Sequence, residues 1–220
     1  MDRRDWIKGQ RRKAEEQYDT IWAPFYGEKW GLYDNATHQQ FIQKLLSLLP
    51  QPSTVLDAAC GAGRYMGMLL EKGHTVVGID QSQGMLAKAK AKFPAVHTEK
   101  VGLQEMAYSE AFEGAICMDA VEHVCLEDWP TIVHNFQRAL KPHGYLYFTV
   151  ELGTEHDLEA ILVQRQEEGL PVVYGEVEDW GVYHYYPSMA QVREWLQQAK
   201  LDVVEEGEGD GYHHFLSRKA

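Results

Sequence analysis

From residue 36 onward, short apolar runs bounded by turn residues alternate with longer stretches whose apolar positions recur at helical spacing. Residues 38–49 predict a helix stopped by Pro50 and Pro52. TVLDAA (54–59) predicts a first strand, residues 63–72 a helix ended by Gly73, and HTVVGID (74–80) a second strand. QGMLAKAKAKF (83–93) reads as a helix closed by Pro94, AVHTEKV (95–101) as a weak third strand and FEGAICMD (112–119) as a clear fourth. WPTIVHNFQRALKP (129–142) predicts a helix with Pro130 in its first turn. GYLYFTVE (144–151) is an unbroken apolar strand of the kind buried on both faces. This alternation implies an α/β fold, a doubly wound and mostly parallel sheet with right-handed crossovers.

Both ends depart from that rhythm. At the start, Ala14, Tyr18, Ile21, Trp22 and Phe25 recur at helical spacing and predict a helix docked on the main body. Near the end, SMAQVREWLQQAK (188–200) is a helix with Ser188 as N-cap and Gln191 in capping-box position. LDVVEE and YHHFLSRK flank GEGDG and predict an antiparallel hairpin. The chain therefore divides into a helical cap (1–35), a core (36–151), an insertion (152–187) and a closing helix and hairpin (188–220), all within one domain.

Composition narrows the partners. Twenty-one Lys and Arg stand against 33 Asp and Glu, a formal net charge of -12, which works against a nucleic-acid partner. Cys60, Cys117 and Cys125 are too few and too irregular for a disulfide framework or a zinc site. No apolar run reaches membrane-spanning length and the N-terminus lacks the apolar core of a signal peptide, so a soluble, cytoplasmic monomer or homodimer is expected.

The chemistry gathers around VLDAACGAGRY (55–65). Gly61 and Gly63 permit a sharp turn and close approach of a ligand to the backbone. The dinucleotide fingerprint needs a glycine where Met66 stands, and no Lys followed by Ser or Thr supplies a phosphate loop. Asp57 brings a negative charge into the turn, which disfavours a pyrophosphate and welcomes a cationic amino-acid group. Asp80, at the end of the second strand, is placed to grip two ribose hydroxyls. A ribose, a positive charge and no phosphate describe S-adenosylmethionine rather than NAD.

Over residues 36–150 and the closing hairpin the chain resembles the class I S-adenosylmethionine-dependent methyltransferases, through VLDAACGAGRY, VVGIDQSQGML, GAICMDAVEHV and LKPHGYLYFTV. The resemblance implies a seven-stranded Rossmann-like sheet with an antiparallel last strand. It implies that Asp57, Ala59, Gly61, Ala62 and Gly63 surround the methionine part of the cofactor. Asp80 would hold the ribose, Gln81 and Met85 border the adenine, and Leu103 and Gln104 reach it where Gly102 replaces the family's usual Asp. Asp119, Ala120 and Val121 would lie beside the transferred methyl.

The methyl acceptor is expected to be a small aromatic or amine-bearing molecule. Tyr18, Tyr26, Trp180, Tyr183 and Tyr185 are the candidate substrate contacts, with residues 169–187 a lid. His123, His184, His213 and His214 are the candidate bases. DAVEHV is similar to ubiquinone-type O-methyltransferases, where Asp119, Glu122 and His123 could hold a divalent ion; the expectation here is no metal. The alternative to an enzyme is a non-catalytic protein that binds S-adenosylmethionine or S-adenosylhomocysteine.

Overall fold

The computed structural model of the chain describes residues 2–29, 35–179 and 181–220. Its strands are β1 (Thr54–Ala58), β2 (Thr75–Asp80), β3 (His97–Lys100), β4 (Phe112–Cys117), β5 (Leu140–Glu151), β6 (Glu176–Asp179), β7 (Val182–Tyr185), β8 (Leu201–Gly209) and β9 (Tyr212–Lys219). The helices are α1 (Arg3–Gln17), α2 (Ala23–Lys29), α3 (Ala36–Leu48), α4 (Met66–Glu71), α5 (Gln83–Lys92), α6 (Trp129–Ala139), α7 (Leu158–Glu167) and α8 (Met189–Gln198). Seven strands form one sheet in the order β3-β2-β1-β4-β5-β9-β8. Neighbours from β3 to β5 pair in parallel, and β9 runs antiparallel to both β5 and β8. The expected α/β fold with its antiparallel last strand is the fold observed.

Alternate residues of each central strand go to opposite faces, as the pleat requires. Val55, Ile116, Tyr147 and Leu216 pack with Ile42 and Leu45 of α3, Met66 and Leu69 of α4, and Leu86 of α5. Leu56, Ala115, Leu146 and Phe215 pack on the other face with Trp129, Ile132 and Phe136 of α6, Leu196 of α8 and Trp6 of α1. Strand order reverses between β1 and β4, which opens a crevice at their carboxyl ends.

Element ends follow local chemistry. The Ser188 hydroxyl accepts from the Gln191 amide while the Gln191 side chain accepts from the Ser188 amide, a complete capping box. Ser188→Ala should cost about 1 kcal/mol of stability, read by urea denaturation; an unchanged midpoint would show that the box adds nothing. Asp210 and Gly211, both at positive φ, make the two-residue turn between β8 and β9.

Three expectations need correction. The helix after β1 begins at Met66, because Gly61 and Gly63 at positive φ keep the chain in turns through Tyr65. The helix expected to run to Pro142 ends at Ala139, and Leu140 already pairs with Phe112. The N-terminal helix is broken by a π-helical segment, Tyr18–Trp22, whose wider turn rotates the following residues out of phase. Ala14 is buried as expected, whereas Ile21 and Phe25 face solvent. Residues 152–187 hold α7 and the two-stranded hairpin β6–β7.

Polar contacts bind α1 and the hairpin to the body. Arg3 pairs with Glu176 at 2.7 Å and with Glu127 at 2.6 Å, Lys13 with Glu178 at 2.8 Å, and Arg11 with Asp128. In the π segment, Asp19 accepts from the Ser82 hydroxyl at 2.6 Å and from the Gly84 amide at 2.9 Å, fixing the segment to the start of α5.

Candidate active site

At the carboxyl ends of β1, β2 and β4 lies a cavity with an empty volume of about 930 Å³, part of it open to solvent. One wall is the turn after β1. Ala59 and Gly61 both take positive φ there, and the Gly61 amide donates to Asp80 Oδ2 at 2.9 Å. The Ser82 amide donates to Asp80 Oδ1 at 2.8 Å, so the carboxylate joins the first glycine turn to the start of α5.

Asp57 sits beneath this turn, buried, with Oδ2 accepting no hydrogen bond among the described residues. A buried carboxylate oxygen lacking a donor is suited to a cationic group arriving from the cavity. Burial, then repulsion from Asp80, pushes the Asp57 carboxyl up to about 8. Burial raises Asp80 to about 6, against the opposing amide bonds from Ser82 and Gly61.

Of the predicted cofactor residues, Asp57, Ala59, Gly61, Asp80 and Gln81 line the cavity, as do Met85, Leu103, Gln104, Asp119 and Ala120. Ala62, Gly63 and Val121 do not. A Cβ on Gly63 would stand 3.0 Å from Met66 Sδ and 3.2 Å from the Phe93 ring, so this glycine serves packing behind the turn. A side chain at Gly102 would meet the Glu105 carboxylate.

The acceptor residues divide similarly. Tyr18 and Tyr26 line the cavity, while Trp180 lies outside the described residues. Tyr183 and Tyr185 turn into the core instead: the Tyr183 hydroxyl donates to Glu176 at 2.6 Å, and its ring meets Trp6 edge-on at 5.7 Å. The alternation expected along this strand is present, and it is His184 that packs behind His123, with ring centroids 4.6 Å apart. β7 thus packs as a brace on α1, while Tyr18 of the π segment and Tyr26 of α2 line the cavity.

Among the histidines only His123 reaches the cavity lining. Its Nδ1 donates to the Tyr183 carbonyl at 3.1 Å, so Nε2 accepts from the Tyr18 hydroxyl at 2.7 Å. Burial, then the neighbouring His184, lowers its pKa to about 3, which makes it neutral and a weak base. His184 donates from Nδ1 to the Val182 carbonyl at 3.1 Å. His214 is fully buried between the Gly209 carbonyl and the Tyr147 hydroxyl, and His213 lies against Glu206 and Glu208. Glu122 is buried, and among the described residues no group of three His, Cys, Asp or Glu is arranged to hold a metal.

Sequence reading missed Arg64 and Tyr65, though both stand in the quoted glycine stretch. Arg64 donates to Asp119 Oδ2 and to the Tyr26 hydroxyl, each at 2.8 Å, and lines the cavity beside Tyr65. The partner carboxylate is fifty-five positions away, beyond the reach of a local motif.

The profile of a family described as "Methyltransferase domain" matches residues 55–144, which hold the glycine turn, Asp80 and Asp119. Residues 55–144 of the chain are a methyltransferase domain of that family. This methyltransferase is 28% identical to a ubiquinone biosynthesis O-methyltransferase of Histophilus somni, over 86% of this chain and 81% of that protein. It is 32% identical to the Bacillus subtilis protein YqeM, named as a methyltransferase, over 54% of this chain; the match spans about half of that relative, 51%. Its fold is shared with magnesium protoporphyrin IX methyltransferase from Synechocystis, solved with bound S-adenosylhomocysteine, at a TM-score of 0.69 and 16% identity over 96% of this chain and all of that one. No helix among the described residues is long and apolar enough to cross a membrane.

The raised Asp57 gives this methyltransferase a measurable proton linkage. If the carboxyl ionises to pair with the ammonium of S-adenosylhomocysteine, affinity should rise about fiftyfold from about pH 6 to about pH 8, with proton release in calorimetry. Folding runs the other way. A carboxyl raised above its unfolded value contributes stability at low pH and loses it as pH rises through about 8. Affinity independent of pH would refute the assignment of Asp57.

Proposed function

We propose that this chain transfers the methyl group of S-adenosylmethionine to a hydroxyl oxygen of a small ring-bearing molecule. The observation that carries the reading is the cavity itself: a turn of positive-φ backbone and two buried carboxylates at one end, and Arg64, Tyr18, Tyr26 and Asp119 at the other. The first end suits a cofactor with an amino acid and a ribose. The second offers tyrosine faces for a ring and a guanidinium for an oxygen that gains negative charge as its proton leaves. The O-methyltransferase relative favours oxygen over nitrogen or carbon.

Asp57 and Gly61 would hold the methionine portion, Asp80 the ribose, and Met85, Leu103 and Gln104 the adenine. The cofactor supplies an activated methyl on a sulfonium. The chain supplies alignment and exclusion of water. Incubation with S-adenosylmethionine and a panel of phenols, catechols, carboxylic acids and amines, followed by mass detection of methylated product, tests the reading. Product from a hydroxyl compound supports it. Tight cofactor binding with no product from any member would favour the non-catalytic alternative.

A further inference from the structure

Behind the cavity wall two buried polar atoms face each other without a hydrogen bond. Asp119 Oδ1 and His38 Nε2 lie 3.4 Å apart, and among the described residues neither has a hydrogen-bond partner. His38 is completely buried, with Nδ1 2.8 Å from the Tyr65 hydroxyl. The other oxygen of Asp119, Oδ2, accepts from Arg64. Asp119 lines the cavity at the end of β4 with φ +50°, a left-handed conformation that costs energy in a non-glycine residue. The Thr149 hydroxyl accepts from its amide at 2.9 Å and holds it there. Strain, a place in the cavity wall and an unsatisfied oxygen meet in one side chain.

We propose that Asp119 accepts the proton lost by the methyl acceptor, and that His38 is a positioning residue that holds this proton on Asp119. The inference rests on the methyltransferase reading above. The acceptor oxygen bonds to the methyl carbon as the carbon–sulfur bond breaks onto sulfur, and the hydroxyl proton passes to Asp119. A proton on Oδ1, with a small rotation of the Asp119 carboxyl toward Nε2, satisfies both buried atoms with one hydrogen bond. It leaves for solvent when product departs. His123 is poorly suited to this task because Tyr18 and the Tyr183 carbonyl occupy both ring nitrogens.

Charge around the pair fits the role. Burial raises the Asp119 carboxyl to about 6 against the pull of Arg64. Burial, then His214 and Arg64, lowers His38 to about 3, while Asp210 opposes the shift. Tyr26, Tyr65 and Tyr147 feel the Asp119 charge from α2, the β1 turn and β5. Glu122, Glu151 and Cys117 feel it from the β4 and β5 tips, and burial raises the pKa of each.

Sinefungin, in which a carbon-borne amine replaces the sulfonium and its methyl, tests the assignment without knowledge of the acceptor. Calorimetry on the full chain should give a sinefungin affinity about tenfold above that of S-adenosylhomocysteine near pH 8, shrinking toward equality near pH 5. In Asp119→Asn, a substitution that tolerates positive φ, the affinity ratio should fall to about one at every pH. His38→Phe should move the midpoint of the pH curve downward, because the protonated carboxyl loses its partner. A ratio that persists in Asp119→Asn, or is absent from the native chain, overturns the proposal. Unfolding of His38→Phe leaves the Asp119→Asn result decisive. Failure of S-adenosylhomocysteine itself to bind would instead overturn the methyltransferase reading on which this one stands.

Discussion

Gly61→Val is expected to abolish cofactor binding, weakening it more than about a hundredfold, or about 2.7 kcal/mol. The nearest atom to a Cβ at this position is the Tyr26 hydroxyl at 3.9 Å, so the new side chain meets no protein wall and occupies the cavity instead. It would stand between the turn and Tyr26, where the ligand must pass close to the backbone. A second cost comes from φ +52°, which a β-branched residue resists by roughly 1–3 kcal/mol. Thermal melting separates the two effects. A variant that melts a few degrees lower and shows no calorimetric response to S-adenosylhomocysteine fits the geometry. A folded variant of normal affinity would show that the ligand never approaches this backbone.

The cofactor end was legible in the sequence because its determinants are local. Strand, acid and glycines lie within VLDAACGAGRY, and Asp80 ends the next strand, so the parallel pairing of β1 with β2 carries both acids to one end of the sheet. The acceptor end was less legible because it is assembled from distant segments. Arg64 and Asp119 meet across the switch point, and His38 arrives from α3. Nothing in the neighbourhood of any one of them announces the others.

The N-terminal segment and the β6–β7 hairpin show two further limits. A period-3.6 pattern through residues 14–25 assumes a constant helix, and the π turn at Tyr18–Trp22 breaks that assumption at the position where the chain reaches the cavity. In β7 both faces are aromatic, so alternation separates Tyr183 and Tyr185 from His184 and Tyr186 without saying which pair faces inward. Contact with Trp6, far away in sequence, decides it. Tyr186 stacks with His184 and with His156 on the other face.

Asp80→Ala should weaken S-adenosylhomocysteine binding by about 2–3 kcal/mol, the loss of charge-assisted hydrogen bonds to two ribose hydroxyls. The structure adds a second consequence. Asp80 also accepts from the Gly61 and Ser82 amides, so alanine removes the brace between the glycine turn and α5. Asp80→Asn separates these roles, since its one amide oxygen can serve a backbone donor but not both. The asparagine variant should therefore bind with intermediate affinity and melt closer to the native chain than alanine does. An adenosine fragment carries the ribose without the amino-acid end, so its affinity should fall in both variants, whereas methionine binding depends on Asp57. Undiminished adenosine binding in Asp80→Ala would remove the ribose from this carboxylate and leave Asp80 a purely structural link between β2 and the turn after β1.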